Sequence, residues 1–404
     1  MSNQNIRIDG FKELFVTETP LIDVRAPIEF LQGSLPGSVN IPILTNEDRA
    51  LVGTTYKHQG QEAAIRLGYQ IVSGSVKQNR LDQWLGFVRD NPRAVLYCFR
   101  GGKRSQITQQ WLKEADVESP LIVGGYKIVR AFLMNAIDTF SENKKLLVIA
   151  GSTGSGKTKL IHEARNIYPC VDLEGIARHR GSAFGEISIP QPTQIDFENW
   201  LAVNLLKLEN QTQFDRPLVV EDESRSIGKI CVPANFFIRM RSSEVIWLDE
   251  PLEVRVDNIF EDYVLNTAIG HAQQGQQGKK RQSQKTVEPQ KQLVQQHTKN
   301  EDSPEVLHDQ AMRLFEKYKH SLQMISRKLG GMRFQEVLND LENAQMDFLN
   351  MNEISSNKVW IEKLVKYYYD PLYLNSLERR QVIPCFKGSK KDVIDYLQYQ
   401  QQVH

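Results

Sequence analysis

The stretch Lys144–Thr158, KKLLVIAGSTGSGKT, constrains the fold of this chain more than any other. Its apolar run Leu146–Ala150 reads as a buried strand that opens directly into Gly151-x-x-x-x-Gly156-Lys157-Thr158. The residues that follow, KLIHEARNIY, read as a helix. Strand, glycine loop and helix in that order are the context of a P-loop. Gly151, Gly154 and Gly156 let the backbone curl until successive N–H groups face a phosphate, and the helix N-terminus adds its positive end. Lys157 supplies a point charge, and Thr158 offers a hydroxyl to a metal ion, with Mg²⁺ the expected one. The expected ligand is a phosphate or diphosphate, and nothing in the stretch requires that ATP be hydrolysed.

At 404 residues the chain has room for two or three domains. A hydrophobic share of 40% and a charged share of 25% are those of a globular protein in water. No apolar run approaches the roughly twenty residues of a membrane span. The first residues, MSNQNIRIDGFKEL, lack the apolar core of a signal peptide, so the expected location is the cytoplasm, with no membrane partner. Cys98, Cys170, Cys231 and Cys385 are far apart, without the paired spacing of a zinc site or a disulfide framework. A net charge of +1 neither requires nor excludes a nucleic-acid partner.

In the first third, strands alternate with helices, which implies a parallel α/β domain over residues 1–137. PLIDVR and AVLY read as strands, and the second delivers Cys98 into the loop Cys98-Phe-Arg-Gly-Gly-Lys-Arg104-Ser105, ahead of the helix QITQQWLKEA. A cysteine at a strand's C-terminal end faces loop amides and a helix N-terminus, and Arg100, Lys103 and Arg104 add positive charge. Each effect favours the thiolate nucleophile, and the same cradle suits an anionic persulfide or selenide. The competing reading is an inert buried cysteine.

LIDVRAPIEFLQGSLPGSVNIPI together with YCFRGGKRSQ resembles a rhodanese domain, a family whose cysteine carries sulfur as a persulfide. The spacing departs from that family. Arg104 stands six residues after Cys98, one more than the usual loop allows. Rhodanese-like phosphatases share the longer loop but have His before the Cys, where this chain has Tyr97. The longer loop suits an atom larger than sulfur.

Residues 138–404 read as a P-loop NTPase-like α/β domain with a helical C-terminal part. Asp172 and Glu174 close one strand, and Glu221 and Asp222 close another in the manner of a Walker B element; these four are candidate metal or substrate ligands. Arg178, His179 and Arg180 form a basic loop suited to a phosphate or an RNA backbone, or simply to solvent. The Gln/Lys-rich segment 272–302 reads as a flexible insertion. Glu305–Leu329 and Arg333–Asn350 carry helical periodicity. Lys358–Tyr369 mixes Lys363 and Lys366 with Tyr367–Tyr369, a pattern that serves base stacking or, more commonly, packing.

The order of the two domains, with NEDRALVGTTYKHQGQEAAIRLGYQIV, DLEGIARHRGSAFG, VEDESRSIG and VKYYYDPLY, is similar to the bacterial tRNA 2-selenouridine synthase family over nearly the whole chain. That resemblance implies a tRNA with wobble 2-thiouridine as substrate, S-geranylation by geranyl diphosphate, and then selenium from selenophosphate in place of the geranylthio group. It implies that Cys98 is a selenyl-cysteine carrier, with Arg100, Lys103 and Arg104 steadying the anion. Gly151–Thr158 would hold the diphosphate, with Mg²⁺ and no organic cofactor. Alkylation comes first because an alkylated sulfur leaves more readily than a thiocarbonyl. Gly68, in RLGYQ, is expected to play a structural part near the site. The alternative readings are a rhodanese-type sulfurtransferase coupled to a nucleotide-binding, kinase-like domain, and an ATP-regulated docking module.

Overall fold

Short apolar runs fold against helices to give the first sheet. The computed structural model describes residues 5–180, 190–211, 215–271 and 304–403. After α1 (Phe11–Val16), the strands β1 (Leu21–Asp23), β2 (Ser38–Asn40) and β3 (Val95–Tyr97) lie parallel in the order β2-β1-β3. All of β1 and β3 is buried, as in a parallel sheet covered on both faces. Its crossovers are α2 (Pro27–Gln32), α3 (Asn46–Ile71) and α4 (Gly74–Asp90), and α5 (Lys103–Glu114) follows β3. The helix α3 begins at Asn46. A reciprocal capping box between Thr45 and Asp48 starts it, with 3.2 Å bonds in both directions. Gly60, at φ +84°, then kinks the helix. Leu121 and Ile122 reach the sheet region as isolated bridges, Leu96 with Leu121 and Ile6 with Ile122.

The described residues form two compact units. One holds residues 5–147, 168–180, 190–211 and 215–243, and the other 148–167, 244–271 and 304–403. The sequence boundary at 137/138 falls inside α6 (Gly125–Asn143), which runs through it unbroken. In the first unit α6 packs on α9 (Gln194–Glu209), and Arg130 reaches Asn199 at 2.7 Å and pairs with Glu198. The same helix clamps the N-terminal part: Asp196 accepts from the Ser34 amide at 2.8 Å, and Asn199 donates to the Ser34 carbonyl at 2.7 Å. This unit also contains β5 (Cys170–Val171) parallel to β6 (Leu218–Glu221), with α8 (Leu173–Ala177) between them in sequence. The short hairpin β7 (Ser226–Ile227) and β8 (Ile230–Cys231) then leads to α10 (Ala234–Arg241).

The strand β4 (Leu146–Ala150), wholly buried, passes from the first unit into the second. There it feeds the phosphate loop and α7 (Lys157–Ala164). β9 (Glu244–Leu248) pairs in parallel with β10 (Phe386–Gly388). The helical core is built from α11 (Leu252–Phe260), α12 (Pro304–Met324), α13 (Ser326–Leu329), α14 (Gly331–Met351) and α15 (Asn357–Leu364), with α16 (Asp370–Arg380) and α17 (Lys390–Val403) completing the chain. Phe315, Leu341, Phe348 and Trp360 are all at most 2% exposed in that core. Its basic-aromatic stretch serves packing: Tyr368 is buried, Lys363 bridges Glu336 and Asp340 at 2.8 and 2.7 Å, and Lys366 pairs with Glu362. The segment 272–302 lies outside the described residues. Among the described residues, no helix is long and apolar enough to cross a membrane.

One buried pair holds the first sheet to its loops. Arg25, 2% exposed, grips the fully buried Asp23 through Nε at 2.9 Å and a second guanidinium nitrogen at 2.6 Å, and donates to the Gly33 carbonyl at 2.8 Å. Removing one partner strands the other charge in the core. Arg25→Met is expected to destabilise the protein by roughly 3–5 kcal/mol in denaturant titration. A loss below about 1 kcal/mol would contradict this.

Candidate functional site

Cys98 leaves the C-terminal end of β3 with only 3% of its surface exposed. Its Sγ lies 3.2 Å from Ser105 Oγ and 3.9 Å from the Gly102 carbonyl, and Ser105 Oγ also donates to that carbonyl at 3.1 Å. The loop is pinned by two backbones in contact. Gly125, at φ +59°, sits where any Cβ would collide with the Cys98 carbonyl and the Gly101 amide. The N-terminus of α6 then donates twice to the loop, Tyr126 N to Cys98 O at 2.8 Å and Lys127 N to Phe99 O at 3.0 Å.

The three basic residues of this loop part company. Arg104 turns to Glu29, with bonds of 2.5 and 3.2 Å. Burial alone would raise the Glu29 carboxyl, but the Arg104 hydrogen bond and the Arg104 and Arg49 charges outweigh it and hold the group below the usual carboxylate range. Arg100 and Lys103 are exposed. Ser105, which the sequence does not single out, is the polar side chain beside the sulfur. Tyr97, where phosphatases of this loop length carry His, is fully buried and donates to Ser38 Oγ at 2.9 Å. Burial, and then the Asp23 charge, push its phenol well above the ordinary value, so it stays neutral in the floor of the loop.

The phosphate loop has the expected curl, with Gly154 and Gly156 at φ +81° and +82°. Lys157 Nζ folds back onto the Gly151 carbonyl at 2.8 Å. The Gly151 amide donates to the Tyr373 hydroxyl at 2.9 Å, a contact hidden in the sequence within VKYYYDPLY. From the same stretch Asp370 pairs with Arg255, whose Nε donates to the Thr153 carbonyl at 3.0 Å. Asn258 holds the Gly154 carbonyl at 2.9 Å. Among the described residues, the buried Ser155 Oγ meets no hydrogen-bond partner, which costs about 1–3 kcal/mol unless a ligand oxygen satisfies it. Thr158 follows Lys157 in the first turn of α7.

The four acids lie in the first unit and do different work. Asp172 caps α8, accepting from the Gly175 amide at 2.6 Å. Asp222 pairs with Arg241 at 2.7 Å. Glu221 is fully buried at the end of β6; its Oε2 accepts from the Leu173 amide at 3.1 Å, and its Oε1 meets no partner among the described residues. Burial, then the charges of Asp172 and Glu174, push its carboxyl well above the usual range. Among the described residues no three His, Cys, Asp or Glu side chains are grouped to hold a metal. In the basic loop, Arg178 is exposed and left-handed at φ +49°, with His179 and Arg180 half-buried beside it.

Comparison with known proteins gives two family matches: residues 144–404 to the tRNA 2-selenouridine synthase AAA domain, and residues 9–131 to the rhodanese-like domain. A protein of Nitrosomonas europaea named tRNA 2-selenouridine synthase is 63% identical over 398 residues, spanning 98% of this chain and 99% of that one. Proteins of the same name from Bdellovibrio bacteriovorus and Photobacterium profundum are 52% identical over 390 residues and 40% identical over 399. Those two alignments span 96% and 98% of this chain, and 97% and 99% of the relatives.

The buried acid gives a pH signature. A carboxyl whose folded pKa lies above its unfolded value contributes stability that is fully present below about pH 4 and is lost as pH rises through the folded value. Glu221→Gln keeps the neutral form at every pH. Its urea midpoint should gain on wild type as pH rises from about 5 to about 8. The same difference at both pH values would contradict the raised carboxyl.

Proposed function

This chain belongs to the tRNA 2-selenouridine synthase family, and from that premise we propose that it replaces sulfur by selenium in wobble 2-thiouridine of tRNA through an S-geranyl intermediate. The observation that carries the reading is the union, in one chain, of a glycine-built phosphate loop with a cysteine seated at the end of a parallel strand.

The P-loop serves the first step. Geranyl diphosphate offers an allylic carbon to the thiouridine sulfur; the C–S bond forms as the C–O bond breaks, and the diphosphate takes the electron pair. Lys157, on leaving the Gly151 carbonyl, meets the developing charge, and loop amides and the Ser155 hydroxyl donate to the phosphate oxygens. Mg²⁺ held through Thr158 would neutralise part of that charge. The Tyr373 hydroxyl gives up the Gly151 amide as the phosphate arrives.

The Cys98 loop serves the second step. Selenophosphate seated against Cys98 attacks C2 of the base through its selenium; the C2–S bond breaks and geranylthiolate leaves with the electron pair, and water then takes the phosphoryl group from selenium as phosphate. Ser105 can turn its hydroxyl from the Gly102 carbonyl to donate to the chalcogen, while Arg100 and Lys103 at the loop surface draw in the anionic donor. Arg104 acts through Glu29, fixing the first turn of α5.

The two steps separate by mutation. Cys98→Ala is expected to abolish selenouridine formation and to leave geranylation intact; loss of both in a folded variant would contradict the division. Lys157→Ala should slow geranylation by roughly a hundredfold, measured by single-turnover assay with geranyl diphosphate. Unchanged turnover would remove the P-loop from that role.

A further inference from the structure

The first unit contains a cavity of about 210 Å³ lined almost wholly by apolar atoms. The Gly60 kink shapes it, because α3 lines it from both sides of the bend, with Val52 and Tyr56 before and Ala64, Gly68 and Tyr69 after. Ile107 and Trp111 of α5 close the opposite wall, and Lys103 and Arg104 stand at its edge. Trp111 and Leu44 of this wall pack in one buried cluster with Cys98. The cavity therefore adjoins the chalcogen loop. Neither a thiouridine base, with its hydrogen-bonding edges, nor selenophosphate, a small trianion, has use for such a lining. A branched hydrocarbon of about ten carbons does.

We propose that this cavity binds the geranyl chain of the S-geranyl-2-thiouridine tRNA and so holds the leaving group beside Cys98 during selenium transfer. The inference rests on the S-geranyl intermediate proposed above and assigns that intermediate a second, separate binding site. The occupant is the alkylated RNA, not free geranyl diphosphate. Arg104 is already committed to Glu29, which leaves Lys103 as the uncommitted cation among the lining residues, too little for a diphosphate. The nucleotide and its phosphates, by contrast, need no charged pocket behind the chain. Gly68 gains a function from this geometry: a Cβ at its helical position meets nothing within 4 Å, so a larger side chain there fills the cavity without displacing the protein.

The test measures binding of anticodon stem-loop RNAs to the full chain by fluorescence anisotropy. One RNA carries 2-thiouridine, and the other synthetic S-geranyl-2-thiouridine. Wild type is expected to bind the geranylated RNA about tenfold or more tightly. Gly68→Leu, which also raises helix propensity, should erase that preference while leaving affinity for the thiouridine RNA and the rate of geranylation unchanged. Tyr56→Ala, at an exposed rim position, should weaken the preference several-fold and guards against a folding defect in the first variant. A preference that survives in Gly68→Leu would overturn the assignment. So would a Gly68→Leu variant that instead loses affinity for geranyl diphosphate. Because the geranylated RNA is synthetic, the binding result is independent of catalysis. Wild type that makes selenouridine but shows no preference contradicts the cavity assignment alone. Wild type that binds the geranylated RNA tightly but never forms it contradicts the reaction sequence.

Discussion

Two backbones meet at the Cys98 loop with no room for a side chain between them, and the geometry of the first unit depends on that approach. Gly101 and Gly125 both take positive φ, and a Cβ on either would strike the other's segment. The contact lets the first amides of α6 bond the carbonyls of Cys98 and Phe99, so the strand end, the loop and the helix are fixed together. Below it, Arg25 neutralises Asp23 in the sheet and lies 4.0 Å from the Tyr126 ring centroid, on the first turn of the same helix. The chalcogen position is thus set by backbone packing, and the charges are left to the rim.

This arrangement changes how the loop's basic residues are understood. Charge density around a thiol is the simple expectation from Arg100, Lys103 and Arg104 in a row. Instead Arg104 is drawn away by Glu29, a residue on α2, and the neighbour of the sulfur is the Ser105 hydroxyl. A hydroxyl tolerates either a neutral or an anionic chalcogen beside it, by donating or accepting as needed.

The elements that were legible in the sequence are those set by local rules. Strand–glycine–helix at Leu146–Ala164 and the strand end at Cys98 are each specified by neighbours in the chain. What remained hidden depends on residues far apart. Tyr373 reaches Gly151 across 222 positions, and Glu29 takes Arg104 across 75. VKYYYDPLY marked the stretch holding Tyr373 and Asp370, but nothing in it named the phosphate loop as their partner. The acids after the two strands read alike in sequence, yet one became a helix cap, one an ion-pair partner and one a buried carboxyl whose pKa is pushed above the usual range. The cavity beside Cys98 follows from a single kink at Gly60, inside a stretch whose composition shows little amphipathic pattern.

The central claim is that sulfur is alkylated before selenium replaces it, and nucleoside mass spectrometry on the wild-type protein tests it most directly. Thiolated tRNA is incubated with geranyl diphosphate alone in one sample and with selenophosphate added in another. S-geranyl-2-thiouridine is expected in the first and 2-selenouridine in the second, with none formed from selenophosphate when geranyl diphosphate is withheld. Selenouridine appearing without geranyl diphosphate, or no change in either sample while ATP is hydrolysed, would contradict it.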